Sequence, residues 1–165
     1  LGHGGTLFNC ELKIPLFLFG AGVPVKKIEK NVEIIDILPT VANFLGIPLL
    51  NSWQGADLFS MVEKPVFSKT KSISPTHNIN LEAVIVDGKK LILNVTENTV
   101  DLFEWHTDIA EKQNIADAYP DDAMKLTTIL NAHRLTNLRA RRGPREQAII
   151  DEETMEQLRG LGYVH

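Results

Sequence analysis

The sequence predicts an α/β chain, in which a strand and a helix are followed by an antiparallel sheet with helices. Three observations lead to this prediction. The short apolar run from Ile14 to Phe19 is typical of a strand buried on both faces of a parallel sheet. Apolar residues then follow helical spacing from Glu33 to Leu45, and apolar segments on both sides of Asp87-Gly88 predict a hairpin. We place the change of regime near residue 62, which gives domains at residues 1–62 and 63–165.

The predicted helix of the first domain has clear limits. Pro39 lies inside its apolar pattern, and an interior proline breaks or kinks a helix. We therefore expect the regular helix to begin near Pro39, with Asp36 as an upstream turn or cap residue. Gly46 and the following Ile47-Pro48 form a stop signal. Residues 49–64 are expected to form an irregular connector.

The second domain is predicted to hold three or four antiparallel strands. Their expected positions are Val66 to Lys69, Glu82 to Val86, Leu91 to Val95 and Val100 to Trp105.

Two helices are predicted to follow the strands. Asp121-Asp122 caps the first, which extends to about Arg141, and Asp151 caps a last short helix that ends near Arg159. The residues expected on or near the buried side of the first helix are Leu126, Ile129, Leu130, His133 and Leu138.

Composition excludes several classes of protein. The 165 residues are 44% hydrophobic and 23% charged, as in soluble globular domains, with a net charge of −4. This charge argues against a dedicated nucleic-acid binder. The single cysteine, Cys10, rules out an internal disulfide and a cysteine-based zinc cluster. No apolar stretch approaches the ~20 residues that a membrane-spanning helix needs, so we expect no membrane partner.

The first residues contain a recognisable motif. Gly2, Gly4 and Gly5 surround His3, and the segment reads HGGTLFNCELKIPL from His3 to Leu16. It resembles the segment HGxTLYxExLxVPL of the sulfatases, a family of the alkaline phosphatase superfamily.

Further segments resemble the same family in the same order. They are IDILPT from Ile35 with Leu45-Gly46 behind it (IDLxPTxxxxxG), QGADL from Gln54 (QGxSL), AVIVDGKKLIL from Ala83 (AVRxGxYKLI), VDLFEWHTDIAEKQNIA from Val100 (YDLxxDPxExxNLA) and the stretch Glu153 to Val164 (EExxEQLRALGYV).

The resemblance implies that this chain is the C-terminal part of a sulfatase-like enzyme. Residues 1–62 would then be the end of an alkaline-phosphatase-like sheet domain, and residues 63–165 a small antiparallel subdomain with C-terminal helices. In that family the nucleophile and the metal ligands lie upstream of the matched region. We therefore expect a metal-dependent hydrolase of sulfate esters as the parent protein, and an inactive fragment when this chain is alone.

Two residues are candidates for the reaction centre. The resemblance places His3 where the family has a Lys or His that contacts the sulfate or phosphate, so its expected role is to offset charge on the transferring group and to protonate the leaving oxygen. Thr6 is a weaker substrate-binding candidate, because its hydroxyl can equally bond the backbone of a turn. Glu11 could hydrogen-bond near the site or be structural, and Lys13 is interpreted as scaffold.

Other reactive residues have simpler explanations. In the family, a cysteine that is converted to formylglycine lies in a signal that resembles CxPxR. Cys10 is followed instead by Glu11-Leu12-Lys13-Ile14, so we expect it to be a small buried core cysteine. We predict no metal site in this chain, since the remaining histidines lack ligand spacing; they are His77, His106, His133 and His165. A basic cluster near the end of the long helix matches the usual preference of cations for helix C-termini; its members are Arg134, Arg139, Arg141, Arg142 and Arg145.

Two alternatives remain open, one for the ester that the parent protein hydrolyses and one for the class of protein. The parent could hydrolyse phosphodiesters or phosphonate monoesters, or the chain could be a non-catalytic domain that binds a partner. Ca²⁺ or Mg²⁺ is expected for a sulfatase, and Mn²⁺ or Zn²⁺ for the other hydrolases. The expected substrate is a small-molecule or saccharide sulfate ester. The sequence leaves the oligomeric state and the compartment open.

Overall fold

The structure is a computed structural model that describes residues 5–60, 62–73, 78–141 and 152–160. In chain order the described elements are α1 (Asn9–Leu12), a 3-10 helix (Ile34–Asp36), α2 (Ile37–Phe44), β1 (Val66–Ile73), β2 (Asn78–Val86), β3 (Lys89–Asn94), β4 (Thr99–Glu104), α3 (Pro120–Arg141) and α4 (Glu152–Gly160).

The four strands form one antiparallel sheet in the order β1-β2-β3-β4. In its register Val84 lies opposite Leu91, and Leu91 lies opposite Leu102. Asp87 and Gly88 connect β2 to β3 with φ angles of 51° and 72°, the positive values that a type I′ turn requires. The predicted antiparallel sheet and its hairpin are therefore confirmed.

Successive side chains of a strand point to opposite faces of a sheet, so each face can carry its own apolar cluster. Both faces of this sheet are covered in this way. On one face, Val84, Leu91 and Leu102 pack in a cluster with Leu126 and Leu130 of α3. The cluster on the other face contains Leu7, Ala83, Ile92 and Phe103. The segment around α1 thus covers the sheet face opposite α3.

Helix α3 confirms most of its predicted features. Asp121 and Asp122 lie in its first turn, where carboxylates favour the helix dipole. His133 stacks on Phe67 with ring centroids 3.7 Å apart. Leu138, however, is 52% exposed, so its predicted burial is wrong. At 100° per residue it points about a third of a turn away from the direction of Leu126.

Helix α2 begins slightly earlier than predicted, at Ile37, directly after the 3-10 helix. Pro39 lies in its first turn, where a missing N–H breaks no helical hydrogen bond. The predicted stop at Gly46 is confirmed: its φ is +66°, and its N–H donates to the Asn43 carbonyl at 3.2 Å. The Ile47 N–H donates to the Ala42 carbonyl at 2.9 Å, which completes a Schellman motif.

The predicted strand from Ile14 to Phe19 is not formed. These residues form no regular secondary structure, and Phe17 and Phe19 are 82% and 94% exposed. A buried strand needs a neighbour that accepts and donates its backbone hydrogen bonds. No described segment of this chain pairs with it, so the prediction of a strand is wrong here.

The chain divides into two compact units, one up to His133 and the other from Arg134 onward. The sheet and its two clusters lie in the first unit. The predicted boundary near residue 62 stays a prediction. Helix α4 matches the predicted last helix, while its predicted cap, Asp151, lies outside the described residues. None of the described helices combines the length and the apolar character needed to cross a bilayer.

Candidate functional site

The described part of the predicted site begins at Thr6, since His3 lies outside the described residues. The Thr6 N–H donates to Oε2 of Glu11 at 3.0 Å, and the Thr6 hydroxyl oxygen accepts from the Phe8 N–H at 3.5 Å. Glu11 therefore closes this turn. The Thr6 hydroxyl hydrogen can be donated to an anionic oxygen, which is the chemistry that a sulfate-binding residue needs.

Apolar contacts hold this segment against the sheet. Leu7 is only 3% exposed and packs with Ala83, Ile92 and Phe103. Phe8 approaches the Phe103 ring edge-on, with centroids 6.0 Å apart. Burial of one leucine side chain contributes about 1.5–3 kcal/mol, so Leu7 is a substantial anchor.

A buried polar network extends the anchor. Glu111 Oε2 accepts a hydrogen bond from the Asn9 N–H at 2.5 Å, and Glu111 Oε1 accepts one from Lys90 Nζ at 2.5 Å. Asn9 also accepts from Lys90 Nζ at 3.3 Å through its side-chain oxygen and donates to the Ile109 carbonyl at 3.0 Å. The network joins α1, β3 and the loop after β4.

Lys90 is an unusual member of this network because its side chain has no exposed surface. Burial lowers the pKa of the Lys90 ammonium below its ordinary value, and the hydrogen bond and charge of Glu111 oppose that shift only in part. A buried ammonium is costly unless it is paired, which explains the close contact with Glu111.

Trp105 lies next to the network. Lys90 Nζ is 5.6 Å and Lys13 Nζ is 4.2 Å from the centroid of its ring, and both distances allow cation–π attraction. The indole N–H donates to Asn31 Oδ1 at 2.9 Å. Lys13 contacts a packed aromatic ring, in agreement with its interpretation as scaffold.

Cys10 is exposed, so its predicted place in the core is wrong. In the short helix α1, the buried position is taken by Asn9, which reaches Glu111 and Ile109. The adjacent residue of a helix points about 100° away, and this rotation turns Cys10 outward.

A second buried polar centre lies at Asp36, the residue directly before α2. Asp36 accepts hydrogen bonds from the Glu33 N–H at 2.9 Å, the Ala56 N–H at 2.8 Å and Lys64 Nζ at 2.8 Å. Burial alone would raise the pKa of this carboxyl, but the Lys64 ammonium and the two amides lower it below its usual range. Asp36 is thus a turn residue that caps the 3-10 helix through the Glu33 N–H, whereas it makes no side-chain cap hydrogen bond to α2. Its other partners make it a structural centre.

Metal-binding residues do not assemble in the described part of the chain. Over residues 5–60, 62–73, 78–141 and 152–160, no group of three or more His, Cys, Asp and Glu side chains could hold an ion. The metal expected for the intact enzyme does not fit this set of residues, and we assign no reaction step to it here.

Asn9, Lys90 and Glu111 were not predicted from the sequence. The one indication in the sequence is that Lys90 directly precedes the apolar residues Leu91 to Leu93, and in the structure all four are buried. A lysine inside such a strand requires a buried partner, but the sequence does not indicate that the partner follows 21 residues later.

Comparison with known proteins adds a family resemblance. No family model matches the chain. A sulfatase from Formosa agariphila is 31% identical over 117 residues, which cover 64% of this chain and 23% of that protein. The chain thus spans about a quarter of the length of this curated relative.

Solved structures share the fold. A crystal structure assigned to a sulfatase from Bacteroides thetaiotaomicron matches 72% of this chain with a TM-score of 0.58 and 19% identity, over 27% of its own length. A 2-O GAG sulfatase matches 68% of this chain and 27% of its own, with a TM-score of 0.57 and 19% identity. A protein in complex with its substrate D-glucosamine-2-N,6-O-disulfate matches 60% of this chain and 23% of its own, with a TM-score of 0.51 and 18% identity.

The sequence relative is a sulfatase and the solved structures share the fold of this chain, and each is matched over only part of its length. The chain is therefore similar, in sequence and in fold, to a portion of the sulfatases.

Proposed function

We propose that this chain is the C-terminal part of a sulfatase-like hydrolase that cleaves sulfate esters. The observation that supports this best is the 31% identity to a sulfatase over 117 residues, in a chain whose fold also matches sulfatase structures. The order of the motifs, from HGGTLF at the first residues to LGYV at the last, agrees with a single continuous portion of such an enzyme.

In this proposal His3 and Thr6 face the sulfate group. The His3 imidazolium offsets charge on the sulfate oxygens as the ester bond breaks and can protonate the leaving oxygen. Thr6 donates its hydroxyl to a sulfate oxygen. Support comes from the segment that follows, which Leu7 and Asn9 hold against the sheet.

The substrate class in this proposal is a sulfated saccharide or a small sulfate ester. A saccharide is supported by the structural relative that binds D-glucosamine-2-N,6-O-disulfate. The remaining parts of the reaction centre, a nucleophile and a divalent metal site, belong to the parent protein outside this chain.

The test is ester hydrolysis by the full-length product of the gene. We would measure turnover of 4-nitrophenyl sulfate, and of phosphodiester and phosphonate analogues, with EDTA and with added Ca²⁺ or Mg²⁺. His3→Ala is expected to lower kcat for the sulfate by about 10²-fold, the usual cost of losing a charge-stabilising or proton-donating group. His106→Ala, at an exposed histidine, is the matched control and should leave kcat unchanged.

The possible results of this experiment distinguish the proposed sulfatase activity from its alternatives. Preferential turnover of a phosphodiester or phosphonate would replace the proposed ester but keep the hydrolase. Full activity in His3→Ala would remove His3 from the site. Absence of turnover of every ester, with and without metal, would contradict the enzyme and favour a partner-binding domain.

A further inference from the structure

The network of Asn9, Lys90 and Glu111 joins three distant parts of the chain. Asn9 and Glu111 are 102 residues apart, Asn9 and Lys90 are 81 apart, and Lys90 and Glu111 are 21 apart. Its only member from the first residues is Asn9, three positions after Thr6. The network therefore connects the predicted sulfate-binding turn to the sheet.

Stability alone is a poor explanation for this network. An ion pair taken wholly out of water loses the hydration of two charges, and well-packed apolar residues of similar volume often serve as well or better. Lys90 is fully buried and Glu111 is nearly so. What a buried pair does provide is one defined geometry, since its hydrogen bonds are satisfied in only one arrangement.

The bonds point along a single path toward Thr6. Lys90 fixes one oxygen of Glu111, and the other oxygen holds the Asn9 N–H. Asn9 begins α1, and Glu11 in the same helix accepts from the Thr6 N–H. A shift of Asn9 would therefore displace Thr6 as well.

We propose that Asn9, Lys90 and Glu111 are positioning residues that hold the Thr6 turn at the sulfate group. This inference rests on the proposed function. Misplacement of a reacting or binding group by about 1 Å can cost on the order of 10²-fold in rate, so a rigid support distant from the substrate has a catalytic effect.

The test variant is Lys90→Met in the full-length protein. It leaves the Glu111 carboxylate buried without its cation, so the carboxylate is expected to move and release the Asn9 N–H. We expect the Asn9 amide to exchange with deuterium at least ~10-fold faster and kcat for the sulfate ester to fall by about 10–100-fold. KM should change by a smaller factor.

Lys89→Met is the matched control. Lys89 is the preceding residue of β3 and lies on the opposite face, where it pairs with Glu104 at 2.9 Å and Asp122 at 3.6 Å. This substitution also removes one paired lysine from the same strand. We expect wild-type exchange at Asn9 and wild-type kcat.

Two further variants separate positioning from stability. Lys90→Met combined with Glu111→Gln removes both charges but keeps an amide oxygen for the Asn9 N–H, and should recover slow exchange and most of kcat. Asn9→Ala removes only the side-chain bonds to Lys90 and Ile109. This variant is expected to fold and to have a lower kcat. It therefore tests the inference even if Lys90→Met does not fold.

Two results would overturn the inference. One is an Asn9 amide that stays protected from exchange in Lys90→Met. The other is faster exchange in folded variants whose kcat is unchanged, which would mean a purely structural network. If wild-type protein hydrolyses none of the esters, the proposed function fails by itself, and the exchange rates still decide whether the network anchors the segment.

Discussion

Asp36 shows how one carboxylate can organise a region of irregular chain. It has no exposed surface, and its partners come from three places: the turn before it, Ala56 in the connector and Lys64 before β1. Lys64 also lies 3.0 Å from Glu33, so the cation is shared by two carboxylates. Both amides and the ammonium favour the ionised form, which explains the lowered pKa.

Stability should therefore depend on acid pH through Asp36. The pKa in the folded state lies below the ordinary value of 3.8. The ionised carboxylate thus contributes its full stabilisation above pH 3.8, and this contribution is lost as the pH falls through the lower, folded-state pKa. We expect Asp36→Asn to reduce the free energy of unfolding by about 1–3 kcal/mol at pH 7 and to reduce its slope below pH 4.

Urea unfolding at several pH values measures this effect. The control is Asp117→Asn, because Asp117 is exposed and removal of its charge should leave the acid slope close to that of the wild type. An Asp36→Asn variant with the wild-type slope below pH 4 would contradict the role given to this carboxylate.

Residues with local roles were predictable, whereas residues with distant partners were not. The cap role of Asp36 depends on neighbours within three positions, and a sequence pattern can indicate it. Its bonds to Ala56 and Lys64 span 20 and 28 positions, and only folding brings these groups together. The same reason explains why Lys90 and Glu111 were missed and why Asn9, not Cys10, occupies the buried position of α1.

At the level of elements, two glycines limit the region around α2 for different reasons. Gly46 ends the helix with φ of +66°, and no atom of the residues that the structure describes would lie within 4 Å of an added Cβ there. Gly55 lies against the backbone before α2, where a Cβ would meet the Ile35 carbonyl oxygen at 1.9 Å. Gly46 is required because its φ angle is positive, and Gly55 is required because two chain segments approach closely there.

Alanine at these positions should have unequal effects. Gly55→Ala must push the connector away from Ile35 and disturb the bond from Ala56 to Asp36, so we expect a loss of about 3 kcal/mol in unfolding free energy. Gly46→Ala places one side chain in the left-handed region without a clash, at about 1–2 kcal/mol. Urea midpoints of the two variants, compared with the wild type, measure this order. Equal losses would contradict the distinction between angle and contact.

Elements with local patterns were the more predictable part of the fold. The hairpin, the stop of α2 and the start of α3 depend on turn chemistry, capping and spacing, which the sequence displays directly. The strand predicted from Ile14 to Phe19 depended on neighbours that this chain does not supply among its described residues. An apolar run indicates burial, but the type of partner decides whether the segment pairs as a strand.

At the level of the whole molecule, the main unexplained feature is exposed apolar surface. Phe17 and Phe19 are 82% and 94% exposed, and Val25 is fully exposed. Phe17 and Val25 line an apolar cleft of about 700 Å³; its lining also includes Ile14, Leu16, Val23 and Phe59. Apolar patches of this kind are unusual on a monomeric soluble protein and mark contact surfaces.

This surface gives different expectations for the chain alone and for the proposed parent protein. For the 165-residue chain we expect self-association, measured by light scattering after size-exclusion chromatography, and the double substitution Phe17→Ser with Phe19→Ser should restore a monomer. Met124→Ser with Leu135→Ser, at α3 residues that are 67% and 56% exposed, is the matched control and should leave association unchanged.

If the proposed function holds, the same two phenylalanines should be covered by the remainder of the proposed hydrolase in the full-length gene product. There the double substitution removes two buried aromatic side chains and buries two hydroxyls in their place, so it should lower the unfolding free energy by at least about 3–5 kcal/mol per phenylalanine. Chemical denaturation of the full-length protein measures this loss. Full-length protein that tolerates the substitution without loss would mean that this surface stays open in the parent, and a partner chain would then be the better explanation for its apolar character.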